Sequence, residues 1–183
     1  MYLLSPPMSS SHPSTDTIHP LEQQRRINRD AIASAGFNPY GTRTDGLTDL
    51  AIAKAHYDSA ADEAHKAAGK EPPAGFVDQR PNVSISGRVM LLRDNGKLVW
   101  LTLRDHTGDL QVAVSQKDVD ENSFKVAKAT DLSDLLIVSG PLMKTKTGEI
   151  TVWAKSVRPA AKCLVPPPEK HAGLSDVELR YRQ

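Results

Sequence analysis

Four side chains on short β-rich runs between residues 81 and 158 have the chemistry to read a nucleobase: Arg93, Trp100, Gln111 and Glu149. An indole offers a face on which a base stacks, worth ~1–3 kcal/mol per base. A carboxamide donates and accepts, a guanidinium donates as a fork, and a carboxylate accepts. They act together only if they share one face of a sheet, and strand alternation decides that. In LVWLTLRD, Val99, Leu101 and Leu103 point inward and leave Trp100, Thr102 and Arg104 outside. In LQVAVS the inward set is Leu110, Val112 and Val114, so Gln111 and Ala113 point out. In EITVWAKSV, Ile150, Val152 and Ala154 point inward and Glu149, Thr151 and Trp153 outward. The run VSISGRVMLLRD conflicts, because Val83 and Ile85 set a parity that turns Arg93 inward unless a bulge, expected near Gly87, reverses it.

The elements that must carry these residues are five β-rich runs bounded by the turn signals DNGK, HTGD and KTGE. The third and fourth runs are separated by QKDVDENSFKVAKATDLSD, whose middle has helical character. Three strands, a helix and two strands predict a mainly β domain over residues 81–158, the five-stranded Greek-key barrel of the OB-fold, a frequent oligonucleotide binder. Residues 21–72 read as an α-helical appendage. In LEQQRRINRDAIASA, residues 21–35, helical spacing groups Leu21, Ile27, Ala31, Ile32 and Ala35, with Gly36 as the stop. Arg25, Arg26 and Arg29 fall largely on the other side, as a solvated face or a surface for phosphate. An Ala-rich helical stretch over residues 47–69 ends at the prolines of EPPAGF. The Ser-, Pro- and His-rich residues 1–20 have the composition of a disordered terminus, with Met8 an alternative start, and residues 159–183 read as a linker.

Composition excludes several classes. Lys and Arg total 23 against 22 Asp and Glu, so any basic surface is local. Cys163 is the only cysteine, which removes an intrachain disulfide and cysteine-based zinc and fits a reducing, cytoplasmic location. No apolar run approaches the ~18 residues of a membrane span, and the start lacks signal-peptide features. A phosphate-cradling GxxxxGK[ST] loop is missing, since KTKTG (residues 144–148) is a hairpin turn. DVDEN (118–122) resembles the start of a calcium loop but has Ser123 where glycine is needed and Ala129 where glutamate is needed. The six histidines lack zinc-ligand spacing, and nothing orients Cys163 and His171 as a nucleophile pair. No metal site and no catalytic residue is expected.

Residues 87–114 (GRVMLLRDNGKLVWLTLRDHTGDLQVAV), 144–152 (KTKTGEITV) and the tail KCLVPPPEKHAGLSDVELRYRQ together resemble the N-terminal part of class II lysyl-tRNA synthetases. The resemblance implies an anticodon-binding OB-fold that reads the central uridine of the lysine anticodon. Trp100 would stand where that family usually stacks a phenylalanine on the base, with Gln111, Glu149 and Arg93 matching its polar contacts. Arg25 to Gly36 resembles its N-terminal helix, whose basic face helps hold tRNA. The tail favours the lysyl branch over the aspartyl and asparaginyl relatives. The family's catalytic domain would follow Gln183, and ATP and magnesium would belong to it, so this chain is expected to bind tRNA and not to aminoacylate it. A free-standing OB-fold oligonucleotide-binding protein and a non-functional gene fragment are the alternatives, and a weak homodimer is left open.

Overall fold

The computed structural model describes residues 19–69, 73, 75–166 and 181. The expected disordered start and most of the linker tail lie outside the described residues.

The order is α1 (Pro20–Ser34), α2 (Leu50–Ala55), α3 (Ser59–Ala68), β1 (Asn82–Asp94), β2 (Leu98–Arg104), β3 (Asp109–Ser115), α4 (Glu121–Lys128), β4 (Leu135–Lys144), β5 (Ile150–Trp153) and β6 (Ser156–Ala161). β1 pairs with β2, β2 with β3, β3 in parallel with β5, and β5 with β4; β4 returns to β1 and closes the barrel. Closure removes the open edges that would recruit another strand.

The expected fifth strand is bent into two pieces, β5 and β6, and both lie along β4. The register moves by one residue between the Leu142–Val152 and Ser139–Ser156 pairs. Gly140 sits at this bend because a Cβ there would lie 2.1 Å from the Trp153 carbonyl oxygen, far inside contact distance. At the bend the Ala154 N–H turns to the Ala113 carbonyl and the Lys155 N–H to that of Ser139.

The interior is built by the alternation the sequence shows. Val83, Ile85, Val89, Val99, Leu101, Leu103, Leu110, Val112 and Val114 are all buried, each fully buried aliphatic side chain contributing ~1.5–3 kcal/mol. Helices plug the barrel: Leu50 and Ala53 of α2 and Val126 and Ala127 of α4 join the same core. The expected helix over residues 47–69 is two helices, α2 and α3, broken at 56–58. No side chain of its own caps α2; the Leu50 N–H instead donates to the Asp105 carboxylate at 2.8 Å and the Ala51 N–H to the Thr107 hydroxyl at 3.0 Å.

The expected inward face of α1 is corrected. Leu21 and Ile27 are more than half exposed, while Arg25 and Ile32 are buried. The inward stripe starts from Arg25 because what the helix meets there is polar. The Arg25 guanidinium donates to the Cys163 carbonyl at 2.9 Å, and the Asn28 amide to the Asp131 carboxylate at 2.9 Å. Behind them lies the fully buried ammonium of Lys162, paired with Asp131 and Asp134, while Asp134 also accepts the Cys163 N–H. An ion cluster of this kind is stable only when each charge keeps its partners.

Candidate nucleic-acid interface

The bulge in β1 falls at Met90, between the Val89–Leu103 and Leu91–Thr102 pairs, and not near Gly87. Gly87 serves a close approach: a Cβ there would lie 3.0 Å from the Leu103 Cβ and 3.1 Å from the Arg104 carbonyl oxygen. The bulge reverses parity all the same. Leu92 turns toward the core, and Arg93 lands directly opposite Trp100 on the outer surface.

Two rows of cross-strand partners result. One runs Arg93, Trp100, Ala113, Trp153, and the other runs Leu91, Thr102, Gln111, Thr151, Met143. Their Arg93–Trp100–Gln111 end forms the floor of a groove of about 470 Å³. Leu91, Arg93 and Asn95 form the side nearer the β1–β2 turn, and Met143, Thr145, Lys146 and Thr147 the side nearer the β4–β5 turn. These two turns frame the binding face of an OB barrel.

Both turns are braced. Gly96, with φ of +74°, closes the first, and its N–H donates to Asp94 at 2.9 Å. The Lys128 ammonium from α4 pairs with the same carboxylate and holds it below the ordinary range. In the second, the Thr145 N–H donates to the Glu149 carbonyl at 2.9 Å and the two hydroxyls of Thr145 and Thr147 lie 2.9 Å apart. Its base is held from α3: buried Asp62 accepts the Lys144 N–H at 2.9 Å, and Lys66 donates to the Lys144 carbonyl at 2.9 Å.

Of the expected residues, Arg93, Trp100 and Gln111 come together in the groove. Glu149 does not line it, and its carboxylate is 3.3 Å from the Lys54 ammonium of α2. The three arginines of α1 are dispersed: Arg25 is buried, Arg26 pairs with Glu22 at 2.7 Å and Arg29 with Asp30 at 2.8 Å. Trp153, also outward by parity, is held by its indole N–H donating to Asp118 at 3.0 Å. Lys146 and the hydroxyl-bearing Thr145 and Thr147 were missed as site residues because KTKTGE reads only as a turn; its place beside the binding face is what marks it. Arg93 and Lys146 line the groove with no carboxylate partner among the described residues; Arg88, Lys97, Lys117, Lys144 and Arg158 lack one as well, so unpaired positive charge is present at the groove but not confined to it. Elsewhere, Asp49, Asp105 and His106 approach one another on the surface. Asp105 is already engaged there by the Leu50, Thr107 and Gly108 N–H groups.

The barrel matches a family model described as an OB-fold nucleic acid binding domain, tRNA anti-codon type, over residues 83–160. Residues 83–160 are a tRNA anti-codon OB-fold domain. The chain is 32% identical to the lysine–tRNA ligase of Streptococcus suis over 173 residues, 93% of this chain and 33% of that protein. With the lysine–tRNA ligase of Enterococcus faecalis it shares 35% over 159 residues, 87% of this chain and 30% of the relative. Over a shorter span of 99 residues, 54% of this chain and 20% of the relative, it is 46% identical to that of Dehalococcoides mccartyi. The anti-codon domain is homologous to a part of these ligases, and the chain spans about a third or less of their length. No helix among the described residues is long and apolar enough to cross a membrane.

Proposed function

We propose that the groove over Trp100 binds the anticodon loop of a lysine tRNA in the cytoplasm and takes its central uridine. The single observation that carries this reading is the convergence of Arg93, Trp100 and Gln111 on one groove between the β1–β2 and β4–β5 turns, in a domain homologous to part of lysine–tRNA ligases. Trp100 stacks the base, Gln111 hydrogen-bonds its edge, and Arg93, across from the indole, takes a neighbouring phosphate or base carbonyl. Lys146 lies where a flanking phosphate would pass. Glu149, turned to Lys54, steadies α2 instead of accepting from the base. The α1 arginines contribute little to phosphate binding, since Arg25 is internal and the other two are already paired. One stacked base with a few hydrogen bonds supports a modest affinity that depends on salt.

The test is binding of a labelled anticodon stem-loop. Trp100→Ala, which leaves the buried face of β2 untouched, weakens binding by ~1–3 kcal/mol. An unchanged affinity in the folded variant removes the groove from the interface.

A further inference from the structure

Gln111 alone does not define which bases the groove accepts, because a carboxamide can show either its oxygen or its nitrogen to a ligand. We propose that Thr151 is a positioning residue that sets this choice. Its hydroxyl holds the oxygen of the Gln111 amide, so the groove is presented with the Nε2 donor. The proposal rests on the reading that the groove takes a base.

Thr151 lies on β5 in register with Gln111 on β3 and Met143 on β4, and it has no exposed surface. Its Oγ1 donates to Gln111 Oε1 at 2.7 Å. A hydroxyl has one hydrogen, and the competing acceptor is the Glu149 carbonyl at a longer 3.3 Å. That carbonyl already accepts the Thr145 N–H at 2.9 Å and the Thr145 hydroxyl at 3.3 Å, which takes both its lone pairs. A flipped Gln111 amide donating to Thr151 Oγ1 would leave the threonine hydrogen poorly bonded. Gln111 Oε1 is therefore engaged, and Nε2 has no partner among the described residues. The groove floor thus carries a fixed donor in the middle of the row that runs from Leu91 and Thr102 to Thr151 and Met143.

A donor in that position accepts a base with a carbonyl at the facing edge and opposes one with an amino group there. Uracil and cytosine differ in this way at C4. Thr151 thereby acts on discrimination through Gln111 without touching the ligand.

The experiment measures the affinity of the chain for two anticodon stem-loops that differ only in a central uridine or cytidine, with thermal unfolding followed in parallel. Thr151→Val, close in shape but lacking the hydroxyl, lowers the uridine-over-cytidine ratio about fivefold, the scale of one hydrogen bond. Thr151→Ser restores it. Gln111→Glu reads the same geometry without altering the buried threonine: its second oxygen replaces the donor with an acceptor, and cytidine becomes the preferred base. A ratio unchanged in folded Thr151→Val, or a Gln111→Glu variant that still prefers uridine, overturns the positioning role alone. Equal binding of both loops by the unsubstituted chain overturns the anticodon reading and this role with it.

Discussion

Asp62→Ala tests how the groove's second turn is held. Asp62 lies on α3 with its side chain 1% exposed. Its Oδ2 accepts from the Tyr57 hydroxyl at 2.9 Å, the Lys66 ammonium at 2.7 Å and the Lys144 N–H at 2.9 Å, while Oδ1 is buried with no hydrogen-bond partner. Truncation leaves the partly buried Tyr57 hydroxyl and the Lys144 N–H without their acceptor, at ~1–3 kcal/mol for each donor that water does not reach. Lys66 is half exposed and returns to water at little cost. Removing the unpartnered Oδ1 offsets part of the loss, so the net destabilisation is about 3 kcal/mol. Urea unfolding followed by circular dichroism measures it, and amide exchange at Lys144 shows whether the β4–β5 turn loosens first. A loss below ~1 kcal/mol, within the range of a single ordinary hydrogen bond, would refute the assignment of Asp62 as the anchor.

The same carboxylate gives this prediction a pH arm. Burial alone would raise the Asp62 pKa, but Lys66, the Lys144 N–H and Tyr57 together hold it below the ordinary 3.8. Tyr57, pushed up to about 12 by burial with Asp62 beside it, stays a donor throughout the neutral range. The unfolded chain takes up a proton at Asp62 before the folded one does, so the carboxylate's contribution is complete above the ordinary value and is lost as pH falls through the lower, folded one. The stability difference between wild type and Asp62→Ala is therefore constant from neutral pH down to about 5 and shrinks below about 4. A difference that grows on acidification contradicts this.

Lys162→Met removes the cation buried between Asp131 and Asp134, and the two carboxylates left behind cost ~3–5 kcal/mol, read as a lower urea midpoint with α1 released first; a neutral result would show that the cluster is dispensable. In stem-loop binding, Lys146→Ala lowers the slope of log affinity against log salt by ~0.7, the release expected for one phosphate contact to a single strand, whereas Arg29→Ala leaves it unchanged, and the opposite pattern would return phosphate contact to α1.

How far the sequence shows these features depends on whether a residue's neighbours are local. Strand alternation placed Val99, Leu101 and Leu103 inside and Trp100 outside, because a period of two is a property of the strand itself. Gln111 follows for the same reason. The bulge was legible only as a parity conflict between Val83 and Arg93; its position at Met90 depends on how β1 meets β2, and Gly87 is a glycine for a different contact, with Leu103. Arg25 reads as part of a basic face because its acceptor, the Cys163 carbonyl, is 138 residues away in sequence. Glu149 reads as a site acceptor for a similar reason, since its partner Lys54 lies on another element. The break between β5 and β6 was hidden inside one β-rich run because the close approach of Gly140 to Trp153 that demands it is again long-range.

The most direct measurement is the affinity of this chain for two lysine anticodon stem-loops that are identical except for a central uridine or cytidine. Tighter binding of the uridine loop, with both loops weakened in Trp100→Ala, is the result this account predicts. Equal binding of the two loops would contradict it and leave the groove a general single-strand site.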